Sequence, residues 1–145
     1  MHSDPVSRIT AILFSSLVLT SCFSTSRRIS FGGEGVKEAP VELASGDVRF
    51  ATYFEGRNTA GAVARYDIEL LQSDRVVSRT TCDLLPVIDD RQCRHHYTEV
   101  RECNIVMQCT ARLDIGGPTT VRARLSIPTK PDGFKLDRVD LIVGQ

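Results

Sequence analysis

The densest group of metal-ligating side chains in the sequence lies between residues 89 and 96. It consists of Asp89, Asp90, Cys93, His95 and His96. Carboxylate, thiolate and imidazole are ligands that Zn²⁺ takes in proteins, so a metal site or an enzyme centre on this loop is one hypothesis. The two histidines are adjacent, however, and no second ligand pair follows at metal-site spacing. The pattern therefore favours an exposed polar loop beside a disulfide, and the enzyme or metal site is the least favoured function.

Hydrolytic and cofactor chemistry require motifs that are missing from the sequence. Apart from His2, the histidines are His95 and His96, and no Gly-x-Ser-x-Gly elbow presents a nucleophile. The run Gly32-Gly33-Glu34-Gly35 lacks the lysine and the following serine or threonine of a phosphate-binding loop. We therefore predict that the protein is not an enzyme and uses no cofactor.

Arginines on predicted strands are candidates for a binding patch. Arg112, Arg122 and Arg124 have the outward parity, and a hairpin of residues 109–115 with 119–127 would bring them to one face. Such a patch would suit an anionic polymer or an acidic protein surface. The competing prediction is a solvated face of mixed charge, because acidic residues share the same parity. The whole chain has 18 basic and 18 acidic residues, which predicts no nucleic-acid partner.

The N-terminal residues have the pattern of an export signal. Ile9 to Leu19 is an apolar run, shorter than the ~20 residues that cross a bilayer but long enough for the core of a signal peptide. Leu19-Thr20-Ser21-Cys22 follows, and it resembles the lipobox of bacterial lipoproteins. The resemblance implies cleavage before Cys22, a diacylglycerol group on its thiol and, often, acylation (such as palmitoylation) of the new amino terminus. Several acyl chains make such an anchor durable.

The lipoprotein resemblance also implies a location and a domain organisation. An aspartate after the lipidated cysteine commonly retains a lipoprotein at the inner membrane, and Phe23 stands there instead. The resemblance therefore implies the outer membrane, at its periplasmic face or at the cell surface. We expect residues 1–21 to be the signal peptide and 41–145 the folded domain. Residues 22–40 are expected to be the lipidated N-terminus and a flexible tether, because they are rich in glycine and small residues.

From residue 41 onward the dominant hydrophobic period is two. Residues 64–70 and 121–127 alternate apolar and polar side chains, which predicts half-buried strands, and no segment has a sustained helical period. Residues 47–54 are predicted to form a hairpin with 64–70 across the turn at 56–61. Six to seven short strands indicate an all-β domain, a small antiparallel β-sandwich. The alternative is a small β-barrel.

The five cysteines predict two disulfides. If Cys22 is lipidated, Cys82, Cys93, Cys103 and Cys109 remain, an even number in an exported chain. Cys103 and Cys109 lie six residues apart, which is ~20 Å along one strand and too far for a bridge. We favour the nested pairs Cys82–Cys109 and Cys93–Cys103. The local pattern (82 with 93, 103 with 109) and the crossed pattern stay open.

Together these features predict a lipid-anchored envelope protein. Its β domain is expected to be a non-catalytic binding or assembly module of a cell-envelope complex, which uses a sheet edge or loops to hold a protein partner. The membrane is the second expected partner, through the lipid on Cys22. The alternative is a structural or surface-exposed lipoprotein without a dedicated ligand.

Overall fold

The computed structural model describes residues 26–58, 61–84, 93–95 and 101–145. These residues form strands without any helix. The strands are β1 (Arg27–Phe31), β2 (Gly35–Leu43), β3 (Gly46–Arg57), β4 (Val63–Gln72), β5 (Arg75–Leu84), β6 (Cys93–His95), β7 (Arg101–Leu113), β8 (Gly117–Thr129) and β9 (Lys135–Gly144).

The strands form two antiparallel sheets that share one apolar core. The five-stranded sheet has the order β1-β9-β3-β7-β6, and the four-stranded sheet has the order β2-β8-β4-β5. Phe50 and Leu141 of the first sheet and Ile68 of the second are among the fully buried core side chains. The predicted all-β class with sandwich-like layers is confirmed, and the two separate sheets do not form one closed barrel. The described residues contain nine strands, so the predicted six to seven was too few.

Two of the additional strands occupy the segment that was predicted to be a flexible tether. β1 pairs with β9 and buries Ile29 and Phe31 in the core. β2 pairs with β8 along its whole length. The tether prediction is therefore wrong from residue 27 onward, and the folded domain begins well before residue 41. Gly32 and Gly33 belong to the connection between the edge strands β1 and β2, and Gly35 is the first residue of β2.

The predicted hairpin between residues 47–54 and 64–70 does not form. β3 lies between β7 and β9 in the five-stranded sheet, whereas β4 lies between β5 and β8 in the other sheet. Alternation shows which face of a strand is buried, and it says nothing of which strand pairs with it. The hairpin that does form joins β4 to β5 through Ser73 and Asp74, where the sequence Gln72-Ser73-Asp74 predicts a turn. Both turn residues have positive φ, of 49° and 61°, as a two-residue hairpin turn requires.

β7 is one strand whose pairing with β3 is irregular in the middle. The register passes from Arg49↔Thr110 to Ala51↔Val106, so β7 has extra residues opposite Phe50. The alternation from Tyr97 to Ile115 is longer than a usual strand and predicts an interruption near residues 102–104, but the irregularity lies at residues 107–109, in the middle of β7. Because the strand is continuous, Cys103 and Cys109 are held apart and each must find its partner on another strand.

Candidate functional site

The structure separates the three arginines that were predicted to form a cationic patch. Arg112 is on β7 of the five-stranded sheet, whereas Arg122 and Arg124 are on β8 of the four-stranded sheet. β7 pairs with β3 and β6, and β8 pairs with β2 and β4, so the hairpin that would unite them does not exist. Side chains on the outer faces of two packed sheets point away from each other. The predicted patch is therefore wrong.

Arg122 belongs instead to a ladder of paired charges on the outer face of the four-stranded sheet. Its Nε donates to Glu38 of β2 at 2.6 Å, and its Nη1 donates to Glu69 of β4 at 3.3 Å. Arg65 of β4 donates to Asp83 of β5 at 2.8 Å. These pairs link neighbouring strands, but water screens them, so each contributes little to stability. The face matches the competing prediction of a solvated surface of mixed charge.

A second polar cluster lies on the outer face of the five-stranded sheet, around Asp140 of β9. We call it the Asp140 cluster, and it consists of Arg28, Tyr53, Glu55, Arg138 and Asp140. The Asp140 side chain is 0% exposed, and its Oδ2 accepts hydrogen bonds from Arg28 at 2.9 Å and from Arg138 at 3.1 Å. The two arginines that donate to the carboxylate lie against it.

Asp140 stays ionised despite its burial. Burial alone would raise the pKa of the carboxyl group, but hydrogen bonds from Ser30, Arg28 and Arg138 outweigh it and hold the pKa below the ordinary value. Ser30 is the register partner of Asp140 on β1. Ser30 has the largest of the three lowering effects, while Oδ1 has no hydrogen-bond partner among the described residues. The carboxylate thus fixes two guanidinium groups over the sheet.

Tyr53 completes the cluster as a platform for the same two arginines. The guanidinium carbon of Arg138 lies 5.3 Å from the centre of the Tyr53 ring, and that of Arg28 lies 5.7 Å from it. Both distances are in the range of a cation–π interaction. The Tyr53 hydroxyl donates to Glu55, and this hydrogen bond, followed by burial, raises the pKa of Tyr53 to about 12. The phenol is therefore protonated at neutral pH and serves to position its neighbours.

Below the cluster, a buried hydrogen-bonded chain connects the two sheets. Thr52 donates its hydroxyl proton to the backbone oxygen of Asp140 at 3.0 Å. The Tyr66 hydroxyl of the opposite sheet lies 3.0 Å from the same Thr52 oxygen. Because Thr52 has one proton to donate, Tyr66 must be the donor in this second bond. Burial raises the pKa of Tyr66 to about 12, so it keeps this proton at neutral pH.

One covalent link also joins the sheets. Cys82 of β5 and Cys109 of β7 form a disulfide with a Cα–Cα distance of 5.4 Å. This is one of the two bridges of the favoured nested pattern. Cys93 and Cys103 are directly opposite each other on β6 and β7. Opposite residues of antiparallel strands have Cα atoms about 4.5–5.5 Å apart, which is within the range of a disulfide.

The outer edge of the four-stranded sheet is β5. Among the described residues this strand of ten residues pairs with β4 alone. Val76 and Val77 are exposed on it, Val77 by 47%. Together with Ser78 and Arg79 they line a shallow depression of about 300 Å³. An extended edge with free backbone groups and exposed apolar side chains can accept a strand from another chain.

Several predicted site residues lie outside the described part of the chain. Cys22 does, and so do Asp89, Asp90 and His96 of the predicted metal-binding loop. Within the described ranges, no group of histidine, cysteine and acidic residues is arranged to hold a metal ion. The same ranges contain no helix long and apolar enough to cross a membrane.

Neither a protein-family model nor a curated protein sequence matches the chain.

The Asp140 cluster had no signal in the sequence. Asp140 takes the outward parity of β9, between the buried Val139 and Leu141, and that parity usually means exposure. Its burial depends on Arg28 and Tyr53 from two other strands, which sequence alone does not bring together. Exposed Val76 and Val77 were visible as a β-rich pair, but only the strand order shows that they lie at an edge.

Proposed function

We propose that the protein is a lipid-anchored envelope protein whose β domain is a non-catalytic binding or assembly module. The lipobox-type residues Leu19 to Cys22 support the anchor. The edge strand β5, which pairs with β4 alone among the described residues, is the observation that supports the binding role. The proposed location is the outer membrane, because Phe23 follows the cysteine.

β5 differs from the other three strands at sheet edges. β1 has five residues and β6 has three described residues, so both are short. β2 is long, but it contains Lys37, Glu38 and Pro40. Short length, charges and proline are the usual protections of an edge against pairing with another chain. β5 has ten residues, lacks proline and exposes Val76 and Val77, and its charged residues are Arg75, Arg79 and Asp83. We therefore propose that an extended segment of a partner protein pairs with β5.

We also propose a second disulfide between Cys93 and Cys103. The two residues are register partners on adjacent strands, and the bridge would complete the nested pattern. Mass spectrometry of the non-reduced, protease-digested protein should detect a peptide pair linked through these residues. A bridge from Cys93 to any other cysteine would contradict the proposal.

The anchor is tested with Cys22→Ser in the bacterial host. The wild-type protein should be in the membrane fraction and should carry the mass of the added lipid. The variant should lose both, because serine has no thiol to receive the diacylglycerol group. A variant that stays in the membrane fraction with unchanged mass would overturn the anchor.

The binding edge is tested with a photo-crosslinking amino acid in intact cells. Position 77 on β5 is the test, and position 36 on β2 is the control, since Val77 and Val36 are 47% and 45% exposed. A discrete adduct with one envelope protein at position 77, and none at position 36, is expected. Val77→Lys should then weaken co-purification of that protein, whereas Val36→Lys should not. Absence of an adduct at position 77 would favour the alternative, a structural or surface-exposed lipoprotein without a dedicated ligand.

A further inference from the structure

The two ends of the domain are distinguished by their loops. One end, called the proximal end, is formed by residues 44–46, 72–75 and 114–117. Gln72 donates to the backbone oxygen of Ile115 at 2.8 Å, and Gln145 makes two hydrogen bonds of 2.7 Å with Ala44, so these loops are tied together. The opposite, distal end contains residues 32–34, 57–58 and 130–134, joined by contacts such as Glu34 with Lys130 at 2.8 Å.

The length of chain before β1 limits which end can reach the membrane. β1 begins at Arg27, five residues after Cys22. Even fully extended, five residues span at most about 18 Å. A membrane that holds the lipid on Cys22 must therefore lie within this distance of Arg27.

Arg27 is closer to the proximal end than to the distal end. It is paired with Val143, which in turn is paired with Phe50 of β3. Phe50 is four residues from Gly46 at the proximal end and seven residues from Arg57 at the distal end. At a rise of ~3.4 Å per residue these separations are about 14 Å and about 24 Å. The chain before β1 is thus long enough for the proximal end to touch the membrane and too short for the distal end.

The proximal end also has the most exposed of the large apolar side chains described. Ile115, in the loop between β7 and β8, is 73% exposed. The loop is held tightly at its base, because a Cβ atom on Gly116 would lie 2.8 Å from the backbone nitrogen of Ser45. Ile115 is therefore presented to solvent on a fixed loop.

We propose that the proximal end faces the membrane and that Ile115 inserts into the interface of the bilayer that holds the lipid anchor. The inference rests on the proposed lipidation of Cys22. Insertion is shallow, because the neighbouring Asp114 side chain is 94% exposed and must stay in water. A side-on orientation is disfavoured, since the charge ladder and the Asp140 cluster occupy the outer faces of the two sheets, and burying such groups against lipid is costly.

The absence of tryptophan from the chain allows a clean test with a single reporter. Ile115→Trp is the test variant, and Asp132→Trp, in an exposed loop of the distal end, is the matched control. Both are prepared as full-length, lipidated protein and incorporated into phosphatidylcholine vesicles with acyl chains brominated either close to the headgroup or deep in the bilayer. The Ile115→Trp variant should show blue-shifted emission and quenching by the shallow bromines. Asp132→Trp should show neither.

Two results would overturn the inference in distinguishable ways. If the lipidated wild-type protein does not float with the vesicles, the proposed anchor fails and the inference falls with it. If the protein floats but the Ile115→Trp variant is unquenched, or the Asp132→Trp variant is quenched equally, the anchor stands and the orientation is wrong. Cys22→Ser in the Ile115→Trp background shows whether quenching depends on the anchor, and undiminished quenching without the lipid would also contradict the inference.

Discussion

At the scale of single residues, Asp140 is the side chain whose role the structure defines best. Its buried carboxylate holds Arg28 and Arg138 over the ring of Tyr53, so the arrangement of three other side chains depends on one charge. Removing that charge would leave two guanidinium groups without their acceptor and would bury an amide that donates toward them.

We therefore predict that Asp140→Asn lowers the free energy of unfolding by about 1.5–3 kcal/mol at neutral pH, the range for hydrogen bonds to charged groups. The lower end is expected, because both arginines are half exposed. Asp83→Asn removes an exposed ion pair and is the matched control, with a clearly smaller loss. Urea unfolding measures both. Equal losses would contradict the special role of Asp140.

The same carboxylate predicts a dependence of stability on pH. The pKa of Asp140 is lower in the folded protein than its ordinary value of 3.8. Its contribution is therefore fully present above pH 3.8 and is lost as the pH falls through the lower pKa of the folded state. In Asp140→Asn the decline of stability below that pH should be shallower than in the wild-type protein. An unchanged acid profile would show that the carboxyl group has no such shift.

The buried hydroxyl groups of Tyr66 and Thr52 should contribute unequally to the free energy of unfolding. Tyr66→Phe removes one donor and leaves the bond from Thr52 to Asp140 intact, so a loss of about 1 kcal/mol is expected. Thr52→Val leaves the buried Tyr66 hydroxyl without its acceptor and also removes the hydroxyl bond to the Asp140 backbone oxygen, which should cost about 2–3 kcal/mol. Thermal unfolding of the two variants compares them. A larger loss for Tyr66→Phe would contradict the donor assignment.

At the scale of the strands, alternation along the chain predicted the buried faces well. The segments 64–70 and 121–127 are the centres of β4 and β8, and the turn at residues 73–74 follows as expected. The partners of the strands could not be predicted, because the same alternation fits any neighbour that buries the same face. β1 was missed because two apolar residues, Ile29 and Phe31, are too few to outweigh the glycines that follow them.

The Cys82–Cys109 disulfide between β5 and β7 should stabilise the edge strand β5. Cys82 and Cys109 are separated by 27 residues, and closing a loop of this size stabilises a protein by about 3–4 kcal/mol in the chain-entropy description. The double variant Cys82→Ala/Cys109→Ala should lose stability of this order. Its β5 amides should also exchange hydrogen faster, whereas those of β9, an inner strand of the five-stranded sheet, should change less. Uniform acceleration across both sheets would contradict a local role for the bridge.

At the scale of the whole molecule, the two sheets are complete only with the residues that precede position 41. β1 covers one side of β9, and Ile29 and Phe31 extend the core that β9 shares with the opposite sheet. β2 likewise covers one side of β8 and adds the buried side chain of Ala39 to the core. The lipid anchor that we propose is therefore joined to an edge strand of the domain by a few residues, and not by a long flexible tether.

This organisation predicts where the chain can be shortened. A protein of residues 26–145 keeps all nine described strands and should unfold cooperatively. A protein of residues 41–145 loses the buried Ile29 and Phe31, which is about 3–6 kcal/mol of apolar burial against a typical total stability of about 5–15 kcal/mol. It also leaves long edges of β8 and β9 unpaired, so it should aggregate or lack a cooperative transition in calorimetry. Equal stability of the two proteins would show that β1 and β2 are dispensable. It would then support the prediction that residues 22–40 are a flexible tether.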